Sequence, residues 1–382
     1  MSPWRRVRAN PDDWFSAEEI SKARRYVRPL RRILTVGKVV GWVVDLAVVG
    51  MHLAPRLLSG LGLRSWPARL AVAVALVSVT SLAAGVGFDA WRELSYDKRW
   101  GFSTQTARGF VSDQAKSLLV GVVVFSLLGF PLWALIRATS AWWLYGWGVV
   151  VALSVGLAFL GPVLILPLFN RFTPLGDAGL RESLLALARD AGADVREVLV
   201  SDASRRTRRD NAFVTGVGRT RRLVVFDTML SRPVEQVRSV AAHEIGHWKR
   251  RHILRTMPAT AAGLFAVFAG LRLVLDRPAA LRFAGVRTLH DPAALPLFLL
   301  LFQAFGAVTG LLGGWLSRVN EREADLFALR VTGDTDSFIA LMRALHVDNL
   351  ADLAPSWWRR LTQTHPPAAE RMAMGARWGR AR

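Results

Sequence analysis

Residues 143–169 read WLYGWGVVVALSVGLAFLGPVLILPLF, apolar almost throughout and longer than the roughly 20 residues a helix needs to cross a bilayer. Five further stretches share that character: Leu34–Leu58, Ala68–Phe88, Ser117–Ile136, Leu254–Leu275 and Ala294–Leu316. The first is the weakest, because it carries Lys38, Asp45 and His52. Trp66, Trp91, Trp133, Trp142, Trp143 and Trp315 fall near the expected ends, where indoles favour the membrane interface. The chain therefore reads as a mainly helical, polytopic membrane protein.

Composition agrees with that reading. The 382 residues are 52% hydrophobic with a mean hydropathy of +0.27, yet the formal net charge is +21. A basic soluble protein that binds nucleic acid keeps a polar surface and does not average apolar, so no nucleic-acid partner is expected. The cations are nearly all arginine, which reads as genome composition rather than function. With no cysteine, disulfide scaffolds, thiolate catalysis and Cys-ligated metals are excluded, and any metal falls to His, Asp or Glu. No cleavable signal peptide is expected, since 33 mostly polar, basic residues precede the first apolar run.

Charge also orients the chain. Residues 1–33 hold nine Lys/Arg and the 89–116 connection five, whereas the next connection holds only Arg137. Positive loops stay inside, so the N-terminus, the 89–116 loop and the long 170–253 segment are expected on the cytoplasmic side. Arg272, Arg277, Arg282 and Arg287, around the turn after the fifth span, dissent from that count. The expected organisation is a cytoplasmic segment 1–33, membrane helices one to four over 34–169, a soluble segment 170–253, membrane helices five and six over 254–316, and a cytoplasmic tail 317–382. Within the soluble segment Leu180–Ala191 has helical period, Glu197–Val200, Ala212–Val214 and Leu223–Phe226 are β-like, and Gly216 and Gly218 suggest a hairpin. A helix from about Pro233 to Arg251 follows.

That helix carries His243-Glu244-Ile245-Gly246-His247, an H-E-x-x-H pattern. Imidazoles at i and i+4 point to one side and can hold one Zn²⁺, and Glu244 can reach a water on the metal as general base. A catalytic zinc needs a third protein ligand. Glu321 and Asp325, four apart on the helix after the sixth span, share one face, whereas Glu323 lies about 200° round from Glu321. The simplest assignment makes Glu321 the third ligand and Asp325 the carboxylate that accepts the spare ring N–H of a ligand His. His252, five residues past His247, is expected to be no ligand and to point elsewhere.

Beyond H-E-x-x-H, further motifs recur in a fixed order. These are Phe15-Ser16 with Lys22-Ala23-Arg24 and Tyr26; Gly101 to Thr106; Pro167 to Leu175; Ser204-Arg205-Arg206 with Asn211-Ala212-Phe213; Phe226-Asp227-Thr228; His243 to Lys249; Ser317 to Asp325; and His365-Pro366-Pro367 with Arg371. Together they resemble the integral-membrane zinc metalloproteases typified by the type I CAAX prenyl endopeptidase, over nearly the whole chain. The resemblance implies His243, His247 and Glu321 as ligands of one Zn²⁺ and Glu244 as the catalytic base. It implies Asn211, Ala212 and Phe213 as the edge that binds substrate backbone as an added strand, and His365 and Arg371 as groups that stabilise the oxyanion. It also implies seven spanning helices around a water-filled chamber, which would accommodate Asp45 at membrane depth. The expected fold class is therefore mainly α, a polytopic membrane helical protein of six to seven spans with a small α/β zinc-metallopeptidase domain.

The function expected is a membrane-embedded zinc endopeptidase, acting on a peptide or protein that is lipidated or membrane-associated, in a bacterial cell membrane. Two alternatives stand beside it: a heat-shock-type quality-control metalloprotease, and a non-catalytic membrane binding protein on the same fold.

Overall fold

The computed structural model describes residues 7–216 and 221–381. Its first helix, α1 (Ala17–Gly50), begins well before the apolar run, because Ser16 and Glu19 close a reciprocal cap: each side chain accepts from the other's backbone N–H, at 3.2 and 2.9 Å. Then come α2 (Leu53–Gly60), α3 (Trp66–Ala90), a π-helical turn at Trp91–Tyr96, α4 (Asp97–Arg99), α5 (Ala107–Ala138), α6 (Trp142–Leu164) and α7 (Leu166–Phe169). Among the described residues six helical stretches are long and apolar enough to cross a membrane, four of them before residue 170 and two after residue 250.

After α7 the chain forms β1 (Phe172–Pro174), α8 (Ala178–Asp190), β2 (Glu197–Ser201), β3 (Ala212–Thr215), β4 (Arg222–Phe226) and α9 (Val234–Lys249). The sheet order is β1-β2-β4-β3. Strands β2 and β4 run parallel with Leu199 opposite Val224, while β3 pairs antiparallel with β4 and lies at the edge. The expected hairpin is thus β3–β4; Gly216 enters its turn at φ +90°, and Gly218 lies outside the described residues. Strand β1 was not expected. It is three residues long and shows no alternation for a sequence pattern to register.

The remaining helices are α10 (His252–Leu275), α11 (Pro278–Phe283), α12 (Leu295–Thr332), α13 (Thr335–Asp348), α14 (Trp357–Thr362) and α15 (Ala368–Arg380). Helix α12 runs unbroken for 38 residues, so the sixth span and the acidic Glu321–Asp325 stretch are one continuous helix rather than two pieces meeting at residue 317.

Two packed cores hold the molecule. One joins the sheet to α8, α9, α13 and α15 through Leu184, Val198, Leu223, Ala241, Leu341 and Met372. The other gathers the far ends of the spans around Leu70, Trp133, Phe268, Leu271 and Phe298. Between them the spans are more open: residues 27–47, 79–90, 117–128, 147–164, 253–266 and 299–317 include no buried residue. Asp45 lies in one such stretch and accepts a hydrogen bond from Gln303 Nε2 at 3.1 Å, linking α1 to α12.

Motifs far apart in sequence converge where the spans meet the sheet. Tyr26 donates to Asp97 and receives Arg209, each at 2.5 Å, and the Arg209 guanidinium stacks 4.4 Å above the Phe102 ring. Arg206 pairs with Asp113 at 2.6 and 2.9 Å and donates to Asn170 Oδ1 at 3.2 Å. The arginine-rich run before β3 is therefore engaged within the chain.

Candidate metal centre

Helix α9 presents His243 and His247 one turn apart, and α12 lays Glu321 beside them. Their close approach depends on Gly246: a Cβ there would stand 3.1 Å from the Phe327 ring and 3.3 Å from Ala324 Cα. The Nε2 atoms of His243 and His247 are 3.1 Å apart, and each is 3.4 Å from one oxygen of Glu321. One donor atom from each of the three lies within 4.8 Å of the others, the grouping a single ion requires.

The surroundings favour positive charge at that point. Glu321 Oε2 is buried without a hydrogen bond. Burial opposes a charge on His243, yet its contacts with Asp325 and Glu321 outweigh this and push the imidazole up to about 10. A set of two imidazoles and one carboxylate matches the ligands of a catalytic zinc, so the residues present fit a divalent ion.

Asp325 stands where the helix wheel puts it. It is fully buried, with its Oδ1 2.9 Å from His243 Nδ1, the nitrogen facing away from Glu321. Arg371, on α15, grips both Asp325 oxygens at 2.8 and 2.5 Å and stays 3.9 Å from Glu321. Burial works against its charge, but Asp325 and Glu321 hold the guanidinium firmly protonated. Arg371 thus acts on Asp325 rather than projecting into open space. His365 is the more open group, its side chain 60% exposed, with Nε2 3.4 Å from Glu321 Oε1 and Nδ1 3.0 Å from Thr364 Oγ1. Desolvation on its inner side and the nearby Arg371 lower its affinity for a proton, against the opposing pull of Glu321. Arg318 donates to the carbonyls of Leu361 and Gln363 and so ties the His365 loop to α12.

Glu244 is half-buried beside the two imidazoles. Burial raises its proton affinity, against the opposing pull of His243 and His247. Asn211 accepts from its neighbour's N–H (Ala212) at 2.9 Å through its side chain and from Phe226 N–H at 3.0 Å through its carbonyl, opening β3. Ala212 is buried, Phe213 meets Phe226 edge-on at 6.5 Å, and Val214 packs into the cluster around Ile245. The sheet edge is thereby fastened to the helix that carries His243 and His247.

One expectation fails. His252 does not point away: its Nδ1 lies 3.0 Å from His247 Nδ1, and its Nε2 lies 3.4 Å from Glu323. The helical angle does not carry past the end of α9, because Arg251 adopts a left-handed φ of 54° and starts a new helix in another direction. A basic pair followed by His directly after an H-E-x-x-H turn is the signal that could have suggested the break.

With the geometry in hand, comparisons with known proteins give a consistent picture. A family model described as peptidase family M48 matches residues 174–376, and one described as CAAX prenyl protease N-terminal, five membrane helices, matches residues 5–171. The chain is 27% identical over 383 residues to the protein named uncharacterized metalloprotease YhfN of Bacillus subtilis (strain 168), covering 96% of this chain and 87% of the relative. It is 29% identical over 309 residues to the CAAX prenyl protease 1 homolog of Oryza sativa subsp. japonica, covering 78% and 71%. Among solved structures, S. mikatae Ste24p superimposes with a TM-score of 0.86 over 98% of this chain and 92% of the other, at 22% identity, which establishes the shared fold.

Proposed function

Since this chain belongs to peptidase family M48 and is a multi-pass membrane metalloendopeptidase, we propose that one Zn²⁺ is held by His243, His247 and Glu321 and that Glu244 is the general base. The observation that carries this is the convergence of the three donor atoms within 4.8 Å of one another. Zinc bound in such a set supplies Lewis acidity toward the scissile carbonyl and the attacking water. The chain's own residues do the rest. Glu244 takes the proton of that water on its carboxylate and returns it to the leaving amine, a task suited by a burial-raised proton affinity. His365, open on one side, donates from Nε2 to the oxyanion, and Arg371 acts through Asp325 by fixing the orientation of His243.

The substrate backbone adds to the free edge of β3, beginning at Asn211, which holds the peptide extended with its carbonyl exposed. By analogy with the CAAX prenyl protease homologue of rice, the substrate is a lipidated or membrane-associated peptide. The site faces the cytoplasm of a bacterial cell, in keeping with the positive-inside count of the loops.

Glu244→Gln tests the chemistry. The variant keeps stoichiometric zinc by elemental analysis while peptide cleavage falls roughly 10²–10⁴-fold. Full activity in that variant, or purified wild-type protein that neither contains nor takes up zinc, would overturn the assignment. Incubation with a prenylated CAAX peptide beside an unmodified misfolded membrane protein separates the two substrate classes.

A further inference from the structure

The two ligand imidazoles are backed in different ways. His243 leans on a carboxylate, Asp325, whereas the atom behind His247 is a nitrogen of another imidazole, His252 Nδ1, at 3.0 Å. His252 is only 4% exposed, and its ring stands edge-on to His247 with centroids 4.9 Å apart. Its other nitrogen lies 3.4 Å from Glu323, which also receives Arg255 at 2.9 Å and has Arg250 at 3.4 Å. As a metal ligand through Nε2, which faces Glu321, His247 carries its ring proton on Nδ1, and that proton requires an acceptor. On its far side His252 lines a largely apolar cavity of about 960 Å³ between α10 and α12, near Thr256, Ser317 and Asn320.

We propose that His252 is a positioning residue for His247: a neutral imidazole that accepts the Nδ1–H of His247 and passes its own Nε2–H to Glu323. The inference rests on the ligand role of His247 argued above. Burial of an unpaired imidazole N–H is unfavourable, and a ligand ring without an outer partner is free to rotate about χ2, so the relay fixes both tautomer and orientation. Arg251 supplies the geometry, since its left-handed backbone is what folds the next residue back on the motif. Glu323, on the opposite side of α12 from Glu321, thereby serves the same centre through a different route. A neutral second acceptor adds no third carboxylate: among the described residues only Glu321 and Asp325 contact the ligand imidazoles.

The test is zinc affinity of the full-length detergent-solubilised chain, measured by competition with a chelator. His252→Phe fills the space without an acceptor and should weaken zinc binding about 10–100-fold. His252→Asn, whose Oδ1 takes the place of Nδ1, should recover most of that loss. Glu323→Ala, which leaves His252 in place, should weaken binding in the same direction and less than additively with His252→Phe. Thermal melting of the metal-free variants checks that each is folded. His252→Phe with wild-type affinity overturns the proposal, as does His252→Asn no better than Phe. Wild-type protein that binds no zinc instead sinks the ligand assignment beneath it.

Discussion

His346, near the end of α13, donates from Nδ1 to the Met342 carbonyl at 2.6 Å and lies within electrostatic reach of Arg371, His365 and Asp325. Burial, aided by the Arg371 charge, pushes its ring down to about 4 from an ordinary 6.5. The folded state therefore holds a neutral imidazole that the unfolded chain would protonate between those values. Stability from this residue is fully present above about pH 6.5 and is lost as pH falls toward 4, by up to about 3 kcal/mol. Melting His346→Gln and wild type side by side from pH 4 to 7 should show a flatter pH dependence in the variant. The same scale explains why Arg371, a cation in the interior, is tolerated: it meets a fully buried carboxylate with two hydrogen bonds.

At the scale of elements, the contact between α9 and α12 decides whether a metal centre exists. Gly246 is where the helices touch, and a side chain must push Phe327 or the Ala324 backbone. Gly246→Val should cost about 1–3 kcal/mol and lose zinc before it loses the fold, as read by elemental analysis against the melting curve; unchanged zinc content would show that the helices separate without consequence. The elements differ in how legible they were from sequence. His243, Glu244 and His247 follow from local helical spacing, and Asp325 from the spacing to Glu321, because regular helices propagate angle predictably. Hydropathy located the spans but not the start of α1, whose first turns are polar; the Ser16–Glu19 cap was the available sign. His252 was misjudged because a single left-handed residue resets the angle. The parallel pairing of β2 with β4 depends on tertiary contacts that no local pattern encodes.

Across the described residues the buried cores lie at two ends of the spans, and α12 joins those ends without a break. Its start, Leu295–Phe298, is set in the far core, while Glu321 lies about 39 Å along the axis. The helix is mechanically a lever with its fulcrum at one membrane face and its working tip at Glu321. Tilting it by about 1.5° sweeps Glu321 through about 1 Å, and a misplacement of that size can cost on the order of a hundredfold in rate. Reconstitution in bilayers of increasing acyl length should therefore change kcat/KM by roughly tenfold with zinc content constant; a flat response would mean the lever is locked. With that outcome, the thickness of the surrounding lipid would become, through one unbroken helix, a setting of the enzyme's rate.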